Sequence, residues 1–281
     1  MKITRAIYII FPLPFFLIIG TISSHPIYAE GEGNERIATL HEKIASAPED
    51  NILFIELGWA YRKAGCLEEA KEAFLKSIEL DPNNARSFDG IGWCYLDEKD
   101  FDNAETVFKK AIELDPTNYG TLMGLWYVYQ SRRSFIEGES LLQKALALEP
   151  GSDWIYFEMG SCYRAQGKFE EAEAMLLRSL EINPEKYQAC LDLGDQYRIL
   201  GRYDQGITMY ERALEIAPND SRAYNGIGQC YLGQNDLARA ESTFKKAIER
   251  DPNNFHALMG LWHCYQHKEK YDDGEQVLKK A

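Results

Sequence analysis

The chain has 281 residues, 45% of them hydrophobic and 27% charged, with 31 Lys and Arg against 44 Asp and Glu for a formal net charge of -13. This is the composition of an ordered soluble protein rather than a disordered one. The acidity excludes the usual electrostatics of nucleic-acid binding, which needs basic side chains gathered on one face, and reads as solvated Glu and Asp on outward helix faces.

Residues 1–29 differ from everything after them. Lys2 and Arg5 precede an unbroken apolar run, Ala6–Gly20, and the segment closes on Ile27-Tyr28-Ala29. A basic start, a short apolar core and a small-residue exit describe a secretory signal peptide. The run is short for a membrane-spanning helix of about 20 residues, and Pro12 and Pro14 lie inside it. An uncleaved membrane anchor is the alternative. Residues 30–50 form a polar linker and a capping helix, expected over Glu35–Ala47, with Ile37, Leu40 and Ile44 on one face and Pro48 ending it.

From Asn51 onward one unit returns in phase: 51–84, 85–118, 119–152, 153–186, 187–220, 221–254 and an incomplete 255–281. A fixed period of this size means stacked supersecondary units rather than one globular core. In the second copy the apolar residues follow helical spacing twice. This predicts a first helix over Arg86–Leu96, a second over Asn103–Leu114, and a turn set by Pro116. Gly92 and Ala104 are small where the two helices approach, Phe88, Ile91, Tyr95 and Phe108 fill the space between them, and Ala111 meets the next copy.

Copies three and seven depart from this pattern together. Trp126 and Trp262 stand where a small residue is expected, and Gly138 and Gly274 replace the facing alanine. Packing at fixed density predicts such a trade of volume. A longer period is also visible. Copies two and six are identical at more than half of their positions, whereas the adjacent copies two and three agree at far fewer. The block of four copies over 51–186 is thus duplicated from 187 onward, and the absence of an eighth copy suggests a chain that continues beyond Ala281.

The pattern L-G-x-x-Y, A-x-x-x-F-x-x-A and a terminal proline resembles the tetratricopeptide repeat family. It is carried by Leu57, Gly58, Tyr61, Ala70, Phe74 and Pro82 in copy one, and by Ile227, Gly228, Tyr231, Ala240, Phe244, Ala247 and Pro252 in copy six. The resemblance implies an all-α, right-handed superhelical solenoid of antiparallel helix pairs whose first helices line a concave groove. On that groove it places Trp59, Arg62, Asp89, Trp93, Met123, Tyr127, Trp154, Phe157, Arg164, Asp195 and Arg198. A peptide segment of another protein would lie there, with apolar side chains over Trp59, Trp93 and Tyr127 and acidic groups on Arg164 and Arg198. The bland alternative is that these rings only pack between neighbouring first helices. Some family members hold a C-terminal carboxylate with Lys and Asn. Trp59, Trp93 and Asp89 occupy those places here, which argues against that mode.

No nucleophile motif, phosphate loop or catalytic acid pair is present, so no enzyme activity and no cofactor are expected. His263 and His267 lie four apart on one helical face, but two ligands do not make a zinc site. Cys94, Cys162, Cys230 and Cys264 occupy equivalent places, too far apart for bridging if neighbouring helices pack at about 8–10 Å, and are read as small packing residues. The expected function is an exported, non-catalytic protein-interaction scaffold with protein partners, meeting a membrane only if residues 1–29 stay attached. The alternative is the repeat arm of a larger enzyme or envelope-biosynthesis machine.

Overall fold

A computed structural model describes residues 32–268 and 274–275. Residues 1–29, expected to be a signal peptide, lie outside them. Among the described residues the fold is all-helical, with fourteen α-helices and no strand. These are α1 (Glu32–Ser46), α2 (Asn51–Lys63), α3 (Leu67–Leu80), α4 (Ala85–Asp97), α5 (Phe101–Leu114), α6 (Tyr119–Ser131) and α7 (Phe135–Leu148). They continue with α8 (Asp153–Ala165), α9 (Phe169–Ile182), α10 (Tyr187–Ile199), α11 (Tyr203–Ile216), α12 (Ser221–Gly233), α13 (Leu237–Arg250) and α14 (Phe255–His267). None of them is long and apolar enough to cross a membrane. The first helix begins at Glu32 rather than at the expected Glu35. Its Leu40 packs with Leu57 and Ala73 on the neighbouring pair, flanked by Ile37 and Ile44.

The punctuation of the helices is local chemistry repeated once per unit. Each even-numbered helix other than α10 starts behind a side chain whose oxygen accepts a hydrogen bond from a first-turn N–H: Asp50, Asn84, Asn118, Ser152, Asp220 and Asn254. Such caps satisfy donors that the helix itself leaves unpaired. Within each of the six described pairs, from α2–α3 to α12–α13, the chain reverses through one residue of positive φ, always at the same place in the period. Gly65, Gly167 and Gly201 take it at no steric cost, whereas Lys99 (62°), Arg133 (57°) and Asn235 (59°) adopt it with a side chain.

The helices stack in order, each packing on the next. First helices of successive pairs also approach one another, from α2 to α4 to α6 and from α8 through α10 and α12 to α14, while no two successive second helices come within 8 Å at their Cα atoms. The stack therefore curves toward the first-helix side, which is the inner face of the solenoid.

Glycine and ring alternate along the core. Gly58, Gly92 and Gly228 sit against Phe74, Phe108 and Phe244 of their own pairs. The same three rings, with Tyr210, are met from the other side by Gly90, Gly124, Gly260 and Gly226, where an added methyl would fall under 3.0 Å from the ring. Phe74, Phe108 and Phe244 are fully buried. In the same register the third and fourth interfaces have Glu158 and Asp192 in place of glycine, and Leu142 and Leu176 in place of the ring.

The volume trade in copy three is real. Trp126 is 1% exposed, and a methyl on Gly138 would fall under 3.0 Å from its ring. In copy seven the fit is looser. Trp262 is only partly buried, and a methyl on Gly274 would lie 3.4 Å from it, an ordinary contact. All six cysteines are free thiols, and five are buried, with only Cys66 partly exposed.

Candidate functional site

The inner face is built from equivalent positions on the first helices, so its chemistry reads as a column. Trp59 on α2, Trp93 on α4 and Tyr127 on α6 stand one repeat apart and are half-buried. They form one continuous ladder with Trp154 of α8. The Arg62 guanidinium lies between the first two rings, 5.5 Å from the Trp59 centroid and 5.0 Å from that of Trp93. Trp93 meets Tyr127 edge-on at 6.1 Å, and Tyr127 meets Trp154 at 6.2 Å. Arg62 is held there by Asp97, donating from Nε at 2.7 Å and from a terminal nitrogen at 3.1 Å. Stacked and bidentate at once, it is a use of arginine that lysine does not reproduce.

Beyond Trp154 the face becomes polar. Phe157 is half-buried beneath the Lys186 ammonium, 5.3 Å from its ring. Arg164 donates to Asp192 at 2.9 Å, and the Ser161 hydroxyl donates to the same carboxylate at 3.1 Å. Arg198 reaches Asp195 at 3.4 Å, and the Tyr210 hydroxyl donates to Asp195 at 2.7 Å. Here the inner face opens into a recess of about 580 Å³ lined by Asp195, Arg198, Arg222, Asn225, Gln229 and His256.

These placements redraw the expected site in two respects. Asp89 and Met123 are buried rather than presented on the groove surface. Arg164 and Arg198, expected to await acidic groups of a partner, already have carboxylates of their own chain. Arg164 of α8 reaches across to Asp192 on the next first helix, whereas Arg198 turns back to Asp195 on its own helix. Spacing alone does not tell which rotamers meet. Among the described residues no group of three His, Cys, Asp or Glu is placed to hold a metal ion.

The sequence reading missed the buried acids beneath this face. Glu158 is 7% exposed, and its Oε2 accepts from Trp126 Nε1 at 3.2 Å and from Gln130 Nε2 at 3.1 Å. Burial pushes its carboxyl up to about 7, with the Trp126 and Gln130 donors and Lys186 pulling the other way. Asp89, also 7% exposed, is pushed up to about 6 by burial, opposed by the Thr121 hydroxyl and the Trp93 indole, and its Oδ1 lacks a hydrogen-bond partner. Asp192 is raised by burial too. The signal was available: after Glu56 in copy one, Glu158 and Asp192 interrupt a column whose other members are Gly90, Gly124, Gly226 and Gly260.

Comparison with known proteins agrees with the helix pairs. Sequence models of the Tetratricopeptide repeat match residues 52–84, 90–118, 131–193, 187–253 and 232–281. The chain is similar to the solved structure of MamA protein, with 30% identity over 60% of this chain and 92% of that one and a TM-score of 0.57. It shares the fold of YrrB, described as a TPR protein with an unusual peptide-binding site, at 22% identity over 67% of this chain and 97% of that one, TM-score 0.59. It also shares the fold of the C-terminal part of a TPR repeat-containing protein from Cytophaga hutchinsonii, at 16% identity over 82% and 94%, TM-score 0.67. No curated protein matches the sequence at a significant level. With helix pairs, period, capping turns and sequence models in agreement along its length, the chain belongs to the tetratricopeptide repeat family.

Proposed function

We propose that this protein is a non-catalytic interaction scaffold that receives an extended or helical segment of a partner protein along the first-helix groove. The observation that carries this reading is the ladder Trp59–Arg62–Trp93–Tyr127–Trp154, half-exposed and continuous across four first helices. Large aromatics and arginine are the side chains that dominate binding hot spots. Because they already hold one another, the surface is preformed, and binding need not first order the receptor. Since Arg62, Arg164 and Arg198 each have a carboxylate of their own chain, the partner's apolar side chains rather than its acidic ones make the main contacts, over Trp59, Trp93 and Tyr127. The likeness in fold to YrrB supports a peptide as the ligand class.

Trp59→Ala together with Trp93→Ala in the full chain is expected to release whatever protein co-purifies from the native cells, with helicity unchanged. A partner retained in full by this variant places the binding surface elsewhere.

Export belongs to the same proposal. It rests on Lys2, Arg5, the apolar run and Ala29. Intact mass of the protein from fractionated cells is expected to show a chain starting at or near Glu30 outside the cytoplasm. A chain that keeps Met1 in the membrane fraction makes it an anchored adaptor instead.

A further inference from the structure

Six steps join the seven first helices from α2 to α14, and one of them is unlike the rest. No Cα of α6 comes within 8 Å of a Cα of α8, although every other successive pair of first helices approaches that closely. This is also the step at which Glu158 replaces glycine. Its carboxylate is the polar link across the gap, since both N–H donors, Trp126 Nε1 and Gln130 Nε2, come from α6 while the acid belongs to α8. On the groove side, Tyr127 and Trp154 face each other over the same gap.

We propose that the α6–α8 step is a hinge governed by the ionisation of Glu158: with the carboxyl protonated the step stays closed, and with the carboxylate charged it opens enough to admit water, parting Tyr127 from Trp154. Closed, the step leaves a charge in a site that is 7% exposed, with both donors on a single oxygen. A buried charge so sparsely solvated favours any rearrangement that hydrates it. The ionisable groups facing Glu158 are Tyr119 and Tyr127 from α6, Cys162 from its own helix, and Lys186 and Asp192 from the α10 side. Lys186 favours the charged form but is itself paired with Asp153 at 3.1 Å, and Asp192 opposes it. Burial outweighs them and holds the closed-state carboxyl near 7 instead of its ordinary 4.5. By linkage, the conformation that binds the proton more tightly is the one that acid favours. The hinge stands independently of what the groove binds.

The test is a distance. Ser131 and Ala165 are exposed and occupy matching places at the ends of α6 and α8. In the full chain with Cys66→Ser, spin labels on Ser131→Cys and Ala165→Cys are expected to move apart as pH rises from 5 to 8, with the change completed just above pH 7. The closed-to-open ratio is expected to fall by about 70-fold over that range. Glu158→Gln is expected to flatten the titration. A distance independent of pH, or a titration that persists unchanged in Glu158→Gln, overturns the hinge. If that variant does not fold, the wild-type profile decides, and a change already complete at pH 5 counts against Glu158.

Discussion

Copies two and six are one unit placed twice, four repeats apart, and they differ on the inner face. Both keep the glycine-and-ring core, with Gly92, Ala104, Phe108 and Ala111 answered by Gly228, Ala240, Phe244 and Ala247. On the inner face, Trp93 of the first is Gln229 of the second, and Asp89 is Asn225. In the copies that follow, Tyr127 becomes His263. One end of the groove is thus a ladder of rings, and the other a polar recess. Packing fixes the core positions within a fraction of an ångström, whereas the face positions tolerate either chemistry, and on the proposed function they are where partner choice would be set.

Copies three and seven give the comparison its sharpest test. Gly138→Ala drives a methyl into the fully buried Trp126 ring and is expected to lower stability by about 2 kcal/mol. Gly274→Ala meets only an ordinary contact at 3.4 Å. It is expected to be neutral or to stabilise by up to about 1 kcal/mol through helix propensity. Urea denaturation of the two variants measures both, and equal losses would refute the difference in packing.

The exchange of Asp89 for Asn225 predicts a smaller, pH-dependent effect. Burial raises the Asp89 carboxyl from 3.8 to about 6, so the folded chain binds that proton more tightly than the unfolded chain. The resulting stabilisation is full below pH 3.8 and is lost as pH rises through 6. Asp89→Asn, which installs the residue of copy six, is therefore expected to gain on the order of 1–2 kcal/mol at pH 8 and little near pH 4. A gain independent of pH would show that charge burial is not the cause. The smallest effect concerns the turns. Lys99→Gly relieves a side chain at φ 62° and is expected to stabilise by about 0.5 kcal/mol, with Asn235→Gly giving less because asparagine tolerates that region. Thermal melts of both are sufficient.

The helices and their order were legible because their causes are local and repeated: prolines and capping side chains at fixed phase, small residues facing rings, and apolar positions at helical spacing. Trp126 and Gly138 were legible as a pair because one volume compensates the other. What stayed hidden depends on rotamers and on the depth of the groove floor. Asp89 and Trp93 are four apart on one helix, yet one is buried and the other half-exposed. Nor does spacing reveal that Arg62, Arg164 and Arg198 turn inward to Asp97, Asp192 and Asp195.

On the proposed function, the ring end of the groove rather than the polar recess carries the energy of binding. The direct measurement is the affinity of the co-purifying partner segment, by isothermal titration calorimetry, for the wild-type chain, for Trp93→Gln and for Gln229→Ala. Loss of a buried aromatic contact worth about 1.4 kcal/mol or more predicts at least a tenfold weaker complex for Trp93→Gln, with Gln229→Ala within about twofold of wild type. A Gln229→Ala complex weakened as much as or more than that of Trp93→Gln would contradict it, and would make the polar recess the binding site.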